Sequence, residues 1–256
     1  MKVLKSNLPI FLILLFSFIS ITSLFSQSSL FSYEKYISVS GDTLNYRQLV
    51  SDYDSKNKYP LVIFLHGSGE RGNDNESQLK WGVGNFALPK NMKMYPSIVI
   101  APQCPKNMRW GNFSEKDMSL KPSPTKPMKI LIELINEIML KLPVDTNRIY
   151  ITGLSMGGFG TYDAITRHPN LFAAAVPICG GGDIAKAVSI AHIPIWIFHG
   201  ALDTTVSPIL SQVMVKALTE AGANPGFTQY PQTGHFSWIP AYSDPMMMQW
   251  LFSQRK

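Results

Sequence analysis

Cysteine is nearly absent from these 256 residues: only Cys104 and Cys179 occur, which excludes a disulfide-dense scaffold. Charge is also sparse, with 16% of residues charged against 45% hydrophobic. The formal net charge is +6, but the basic residues are scattered, without a long run or an aromatic-interleaved stripe. Nucleic acid is therefore not an expected partner. No His, Cys, Asp and Glu cluster has metal-ligand spacing, so neither metal nor cofactor is expected. Linkers, repeats and low-complexity tracts are missing as well, and the length fits one large α/β domain or two small ones.

One long apolar run is present, at the N-terminus. Met1-Lys2-Val3-Leu4-Lys5 is a basic start, Leu8 to Phe25 is mostly Leu, Ile and Phe, and Ser26-Gln27-Ser28-Ser29 follows. That order matches a secretory signal over residues 1–26, leaving 27–256 as the mature domain. An uncleaved N-terminal anchor is the rival reading, because the run approaches the ~20 residues that span a bilayer. Pro9 and the polar Ser17, Ser20, Thr22 and Ser23 favour the signal. The expected location is periplasmic or secreted, with no stable membrane insertion once the signal is gone. Export permits disulfides, but the two cysteines fall at the ends of strands about three places apart. At ~4.8 Å per strand that is roughly 14 Å, so two free, buried thiols are expected.

Beyond the leader, strand and helix patterns alternate. Tyr33–Ser40 and Thr43–Ser51 read as a hairpin around Gly41-Asp42. Leu61–Leu65 and Ser97–Ala101 are continuous apolar runs, as in strands buried on both faces. Lys126–Leu142 carries Ile130, Leu131, Leu134, Ile135 and Ile138 on one helical stripe, with Pro143 next. Strands are expected at Ile149–Thr152, Phe172–Ile178, Ile193–Phe198 and Gly226–Tyr230. Helices are expected at Met156–His168, Ser207–Ala221 and Pro245–Phe252, with a short helical piece at Ile184–Ser189. The expected architecture is a doubly wound, mostly parallel α/β sheet.

Sites in such sheets form beyond the carboxyl ends of strands. After Ile149–Thr152 comes Gly153-Leu154-Ser155-Met156-Gly157, the spacing of a nucleophile elbow. The residues two before and two after the serine crowd together there, so glycine is wanted at both. After Ile193–Phe198 comes His199-Gly200-Ala201-Leu202-Asp203, and after Gly226–Tyr230 comes Thr233-Gly234-His235. Nucleophile, acid and base thus arise in that order past the ends of three strands. A serine hydroxyl needs a base within hydrogen-bond reach. His235 can take and return the proton, and Asp203 can hold the imidazole. The backbone amides of Met156 and, in the turn after His66-Gly67, of Ser68 are the expected oxyanion donors.

These segments together resemble the α/β-hydrolase fold. More narrowly, they resemble compact serine esterases of the dienelactone-hydrolase, polyhydroxybutyrate-depolymerase and feruloyl-esterase type. The stretches Pro60–Gly72 and Asp145–Tyr162 are similar to exported esterases of the "predicted peptidase" kind. The resemblance implies a Ser155, Asp203, His235 triad acting on a small-molecule or polysaccharide-linked ester. Dienelactone hydrolases carry cysteine at the elbow where this chain has serine, so lactone specificity is not implied. A serine peptidase of the prolyl-oligopeptidase-like type and a non-catalytic carbohydrate-binding relative are the alternatives. The short connection from Cys179 to His192 leaves no room for a large cap domain.

Other candidates have plainer readings. Asp183 is the rival acid but fits a cap for Ile184–Ser189. His66 and His199 fit supports for their turns, and His168 and His192 fit structural positions. Gly67-x-Gly69-x-x-Gly72 has a dinucleotide-binding spacing, yet no acidic residue ends the next strand. Trp81, Trp110 and Trp238, expected in loops after strands, are candidates either to grip substrate or to cover the core. The long polar segment from Asn107 to Thr125 is expected to border the cleft.

Overall fold

The alternation read from the sequence is the alternation of the fold. In the computed structural model, which describes residues 27–51, 54 and 56–256, β1 (Ser32–Ile37) and β2 (Thr43–Val50) form the first hairpin. The leader assigned to residues 1–26 lies outside the described residues. β3 (Tyr59–Leu65) and β4 (Ile98–Pro102) are separated by α1 (Pro89–Met94). A small ribbon, β5 (Phe113–Ser114) and β6 (Ser119–Leu120), precedes α2 (Lys126–Lys141). Then come β7 (Val144–Leu154), α3 (Met156–Arg167), β8 (Ala174–Ile178), α4 (Ala187–Ile190) and β9 (Trp196–Gly200). The chain closes with α5 (Ile209–Glu220), β10 (Gly226–Tyr230), α6 (Trp238–Ser243) and α7 (Pro245–Ser253).

Eight strands make one sheet in the order β1-β2-β4-β3-β7-β8-β9-β10. β2 runs antiparallel to β1 and β4, and every pairing from β4 to β10 is parallel. Alternation along the central strands divides the core in two. Leu61, Ile63 and Leu65 face α2 and α5, packing with Leu131, Ile135 and Met214. Val62 and Phe64 face the other way, toward Tyr242, Met247 and Leu251 of α6 and α7. Each fully buried side chain of this size contributes about 1.5–3 kcal/mol, and covering both faces is what lets a parallel sheet exist.

Local signals set the element ends. Thr125 caps α2 by accepting the Met128 amide at 3.2 Å, Pro127 sits in its first turn, and Leu142 leaves the helix in extended geometry. β7 is longer than the apolar run suggests. Its polar start, Val144 to Arg148, joins the sheet through Tyr59, with a register irregularity before Leu61. β8 and β9 begin later than expected because the apolar residues ahead of them, Phe172 and Ile193, fill the core from connecting turns. α1 and α6 are helices that no periodicity announced, each being six residues long. Between β8 and β9 only a single 3-10 turn and the four-residue α4 intervene, so no cap domain covers the strand ends. Among the described residues no helix is long and apolar enough to cross a membrane. Cys104 and Cys179 are both buried and free.

Candidate active site

The turn from β7 into α3 is jammed backbone against backbone. A Cβ on Gly153 would strike the Gly157 carbonyl oxygen, and one on Gly157 would overlap the Leu65 carbonyl oxygen. Between them Ser155 adopts φ +52°, ψ −116°, a conformation costly for any side-chain-bearing residue. The bond from Ser155 N–H to the Ile178 carbonyl, 2.9 Å, anchors the strained residue to β8. The first bond of α3 runs from Phe159 N–H to the Ser155 carbonyl at 3.1 Å. The amides of Met156, Gly157 and Gly158 precede it and have no carbonyl one helical turn back, as at any helix start.

At the end of β9, Asp203 folds back into an Asx turn. Its Oδ1 accepts the amides of Thr205 and Val206, both at 2.9 Å. Its Oδ2 meets His235 Nδ1 at 2.7 Å, and His235 Nε2 meets Ser155 Oγ at 2.9 Å. Burial pushes the Asp203 carboxyl up. The hydrogen bonds from His235, Val206 and Thr205 outweigh it and hold the group below its ordinary value. The loops bearing Asp203 and His235 are locked together. Leu202 N–H donates to the Thr233 carbonyl at 3.0 Å, and a Cβ on Gly200 would strike the Gly234 carbonyl.

His199 reinforces this corner. Its Nε2–H donates to the Val206 carbonyl at 3.0 Å and lies 3.3 Å from Asp203 Oδ2, while its Nδ1 pairs with the Ser211 hydroxyl at 2.7 Å. Burial lowers its pKa. Sulfur also borders Asp203: Cys179 Sγ, an Asp203 oxygen and a His235 nitrogen lie within 4.8 Å of one another. These donors could contact one cation, but the Asp203 and His235 atoms are already joined by their hydrogen bond. Burial pushes the Cys179 thiol up to about 12, so it stands neutral.

Ser68 and Met156 line one cavity of about 300 Å³ with Ser155. The Ser68 turn is fixed from behind by His66, whose Nδ1–H donates to the Gly67 carbonyl at 2.6 Å and whose Nε2 accepts the Cys104 amide at 2.9 Å. A three-residue 3-10 turn follows Gly67, with no long helix opening at the Gly67-x-Gly69-x-x-Gly72 spacing. Asp183 caps the turn at Ile184, accepts the Ala185 amide at 3.0 Å and holds the Leu120 amide of β6 at 3.0 Å, away from His235.

The tryptophans divide differently from the sequence expectation. Trp110 is wholly buried, wedged over Gly160, where a Cβ would sit 2.5 Å from it, so it serves the core rather than the cavity. Trp238 is not in a loop but opens α6. It too is buried, edge-on to His235 at 5.1 Å between ring centres. Trp81 stays in a loop and meets Phe236 and Trp238 at 5.9 and 6.2 Å. None of the three lines the Ser155 cavity.

The segment 107–125 does form one wall of that cavity, through Arg109, Gly111, Phe113 and Glu115. It is held to α3 by two residues of that helix, Asp163 and Arg167, which also pair with each other, Arg167 Nε to Asp163 Oδ1 at 2.6 Å. Asp163 Oδ2 accepts the Asn112 amide at 2.9 Å, and Arg167 donates to the Lys121 and Pro122 carbonyls, both at 2.7 Å. Phe159, Thr205, Val206 and Arg71 complete the lining. Sequence reading missed these four; the Asp203-Thr204-Thr205-Val206 turn chemistry was the available signal for two of them.

Comparison with known proteins identifies the family and the fold. Residues 48–247 match the phospholipase/carboxylesterase family model, so the chain belongs to that family, and its sheet is the α/β-hydrolase fold. It is 25% identical over 148 residues to a bifunctional acetylxylan esterase/xylanase of Neocallimastix patriciarum, covering 58% of this chain and 20% of that protein. It is 26% identical over 192 residues to poly(3-hydroxyalkanoate) depolymerase C of Paucimonas lemoignei, covering 62% of this chain and 44% of that one. The chain thus spans less than half the length of either protein. Among solved structures, a thermostable esterase superposes with a TM-score of 0.83 at 41% identity, covering 90% of this chain and 64% of its own. A ferulic acid esterase superposes at 0.68 with 17% identity, covering 87% and 96%, a likeness of fold.

Proposed function

We propose that this member of the phospholipase/carboxylesterase family is an exported serine hydrolase that cleaves carboxylic esters through an acyl-enzyme on Ser155. The observation that carries the reading is the unbroken chain Asp203–His235–Ser155, at 2.7 and 2.9 Å, ending at a cavity that also receives the Met156 and Ser68 residues.

Ser155 Oγ attacks the ester carbonyl carbon as its proton passes to His235 Nε2, and Asp203 stabilises the imidazolium. The carbonyl oxygen becomes an oxyanion and accepts from the Met156 and Ser68 amides, each worth roughly 3 kcal/mol. Collapse breaks the bond to the leaving oxygen, which takes the proton from His235. Water then attacks the acyl-enzyme, giving its proton to His235, and the acid departs as Ser155 regains its own. The strain at Ser155 keeps Oγ aimed outward without reorganisation.

The uncapped strand ends suit an ester attached to a polymer, and acetyl or feruloyl groups on polysaccharide are the substrates we favour. The relatives named for acetylxylan and ferulic acid support that choice. Residues 1–26 act as the secretory leader, and 27–256 as one catalytic domain in the periplasm or outside the cell. Ser155→Ala is expected to lower kcat on p-nitrophenyl acetate by ~10⁴-fold or more and to remove fluorophosphonate labelling, with the circular dichroism spectrum unchanged. Retained turnover in that variant would exclude the assignment.

A further inference from the structure

The cavity in front of Ser155 has a charge pattern that nucleophile, base and acid do not explain. Phe113 and Phe159, with ring centres 5.3 Å apart, give it an apolar side, and Arg71 and Arg109 stand among its lining with a single carboxylate, Glu115. Arg148, Arg167 and Arg255 each hold an aspartate in this fold. Arg71 and Arg109, among the described residues, have no carboxylate within 4.0 Å. Arg71 is nonetheless fixed: its Nε–H donates to the Ser68 carbonyl at 2.8 Å and one terminal nitrogen to the Met108 carbonyl at 3.3 Å. The guanidinium plane is thereby set, while its other terminal nitrogen makes no bond within the described residues.

Which half of an ester enters this space follows from the proton path. His235 gives its proton to the leaving oxygen, so the leaving group lies on the side of His235, Phe236 and Trp238. None of those three lines the cavity, whereas both oxyanion residues do. The acyl chain is therefore the part that occupies it. A volume of about 300 Å³ is about ten waters' worth, room for a short chain with one polar end.

We propose that Arg71 and Arg109 bind an anionic group at the far end of the acyl chain, so that the preferred substrates are monoesters of short dicarboxylic acids. This rests on Ser155 being the nucleophile, and at that same site it ranks anion-ended acyl groups above the neutral acetyl and feruloyl ones. The methylene stem packs on Phe113 and Phe159, and the terminal carboxylate accepts from the two guanidinium forks, whose planar donors match it. Both arginines are solvent-exposed, so the preference is a matter of several-fold rather than of orders of magnitude. Glu115 opposes it and supplies a test of opposite sign.

Ethyl hydrogen succinate and ethyl butyrate have acyl chains of equal length and differ in the terminal carboxylate. Titrating acid release at constant neutral pH gives the ratio of their kcat/KM values. The ratio is expected to favour the succinate about fivefold or more in the unmodified protein and to shrink toward ~0.5 M salt. Arg109→Gln is expected to lower it by about fivefold, and Glu115→Gln to raise it. Equal turnover of the two esters, or a preference that Arg109→Gln leaves intact, overturns the proposal while the hydrolase reading stands. Failure to turn over either ester, together with no fluorophosphonate labelling of Ser155, removes both.

Discussion

His66 and His235 both follow a strand of the same sheet and both adjoin a glycine, yet their surroundings equip them for opposite tasks. His66, at the end of β3, is 1% exposed and spends both ring nitrogens on backbone. A backbone amide can only donate, so Nε2 must be the unprotonated nitrogen. Burial then pushes its pKa down to about 4. His235, beyond β10, faces a carboxylate on one nitrogen and a hydroxyl on the other, at the edge of a cavity. A histidine clamped by main chain is a strut, and one strung between an acid and a hydroxyl can carry a proton. The residue type and the strand-end position do not distinguish them; the partners of the two nitrogens do.

Exchanging the roles by mutation should expose the difference. His235→Gln is expected to cost ~10⁴-fold in kcat on p-nitrophenyl acetate while the melting temperature stays within a few degrees. A comparable loss of Tm would mean that His235 is a strut as well. His66→Ala is the reverse case. It leaves the Cys104 amide unpaired, the Gly67 carbonyl with only the Glu70 amide at 3.4 Å, and a cavity where the ring stood, so chemical denaturation should register a loss of about 4 kcal/mol. Among molecules still folded, kcat should fall far less than in His235→Gln.

The smallest effect is one of pH. The folded-state pKa of His66, about 4, lies below the ordinary 6.5, so folded and unfolded chains are both neutral there above pH 6.5. As pH falls from 6.5 toward 4, only the unfolded chain takes up the proton, and roughly 3 kcal/mol of stability is lost. His66→Ala should lack that part of the decline. Asp203 and Asp74, both held low, lose their contribution as pH falls through their own folded values, in both proteins alike. Parallel stability curves for the two proteins over that window would show that His66 is not the neutral clamp.

Much of this is legible in the sequence alone. Continuous apolar runs such as Leu61–Leu65 announce strands covered on both faces, and Gly153-x-Ser155-x-Gly157 announces a turn because its crowding is local. The order of Ser155, Asp203 and His235 could be read because each sits just past a strand whose end the sequence marks. The wall of the cavity could not be read. It depends on Asp163 reaching Asn112, 51 positions away, and no local pattern encodes that bond. The burial of Trp110 depends likewise on the missing side chain at Gly160, a complementarity between distant segments. The six-residue α1 and α6 are too short for periodicity to register.

The Asp163–Arg167 pair has a consequence for how this site can change over generations. Ser155 stands at the start of the helix that carries Asp163 and Arg167, and those two residues tie the 107–125 segment to that same helix. Wall and Ser155 consequently travel as a single casting, and the gap between them has a fixed gauge. A new acyl group cannot be admitted by swinging the wall outward without taking the Asn112 amide from the buried Asp163 and the Lys121 and Pro122 carbonyls from Arg167. It must be admitted by recutting the side chains the wall presents, at Arg109, Phe113 and Glu115, which leaves the hydrolytic parts in alignment throughout.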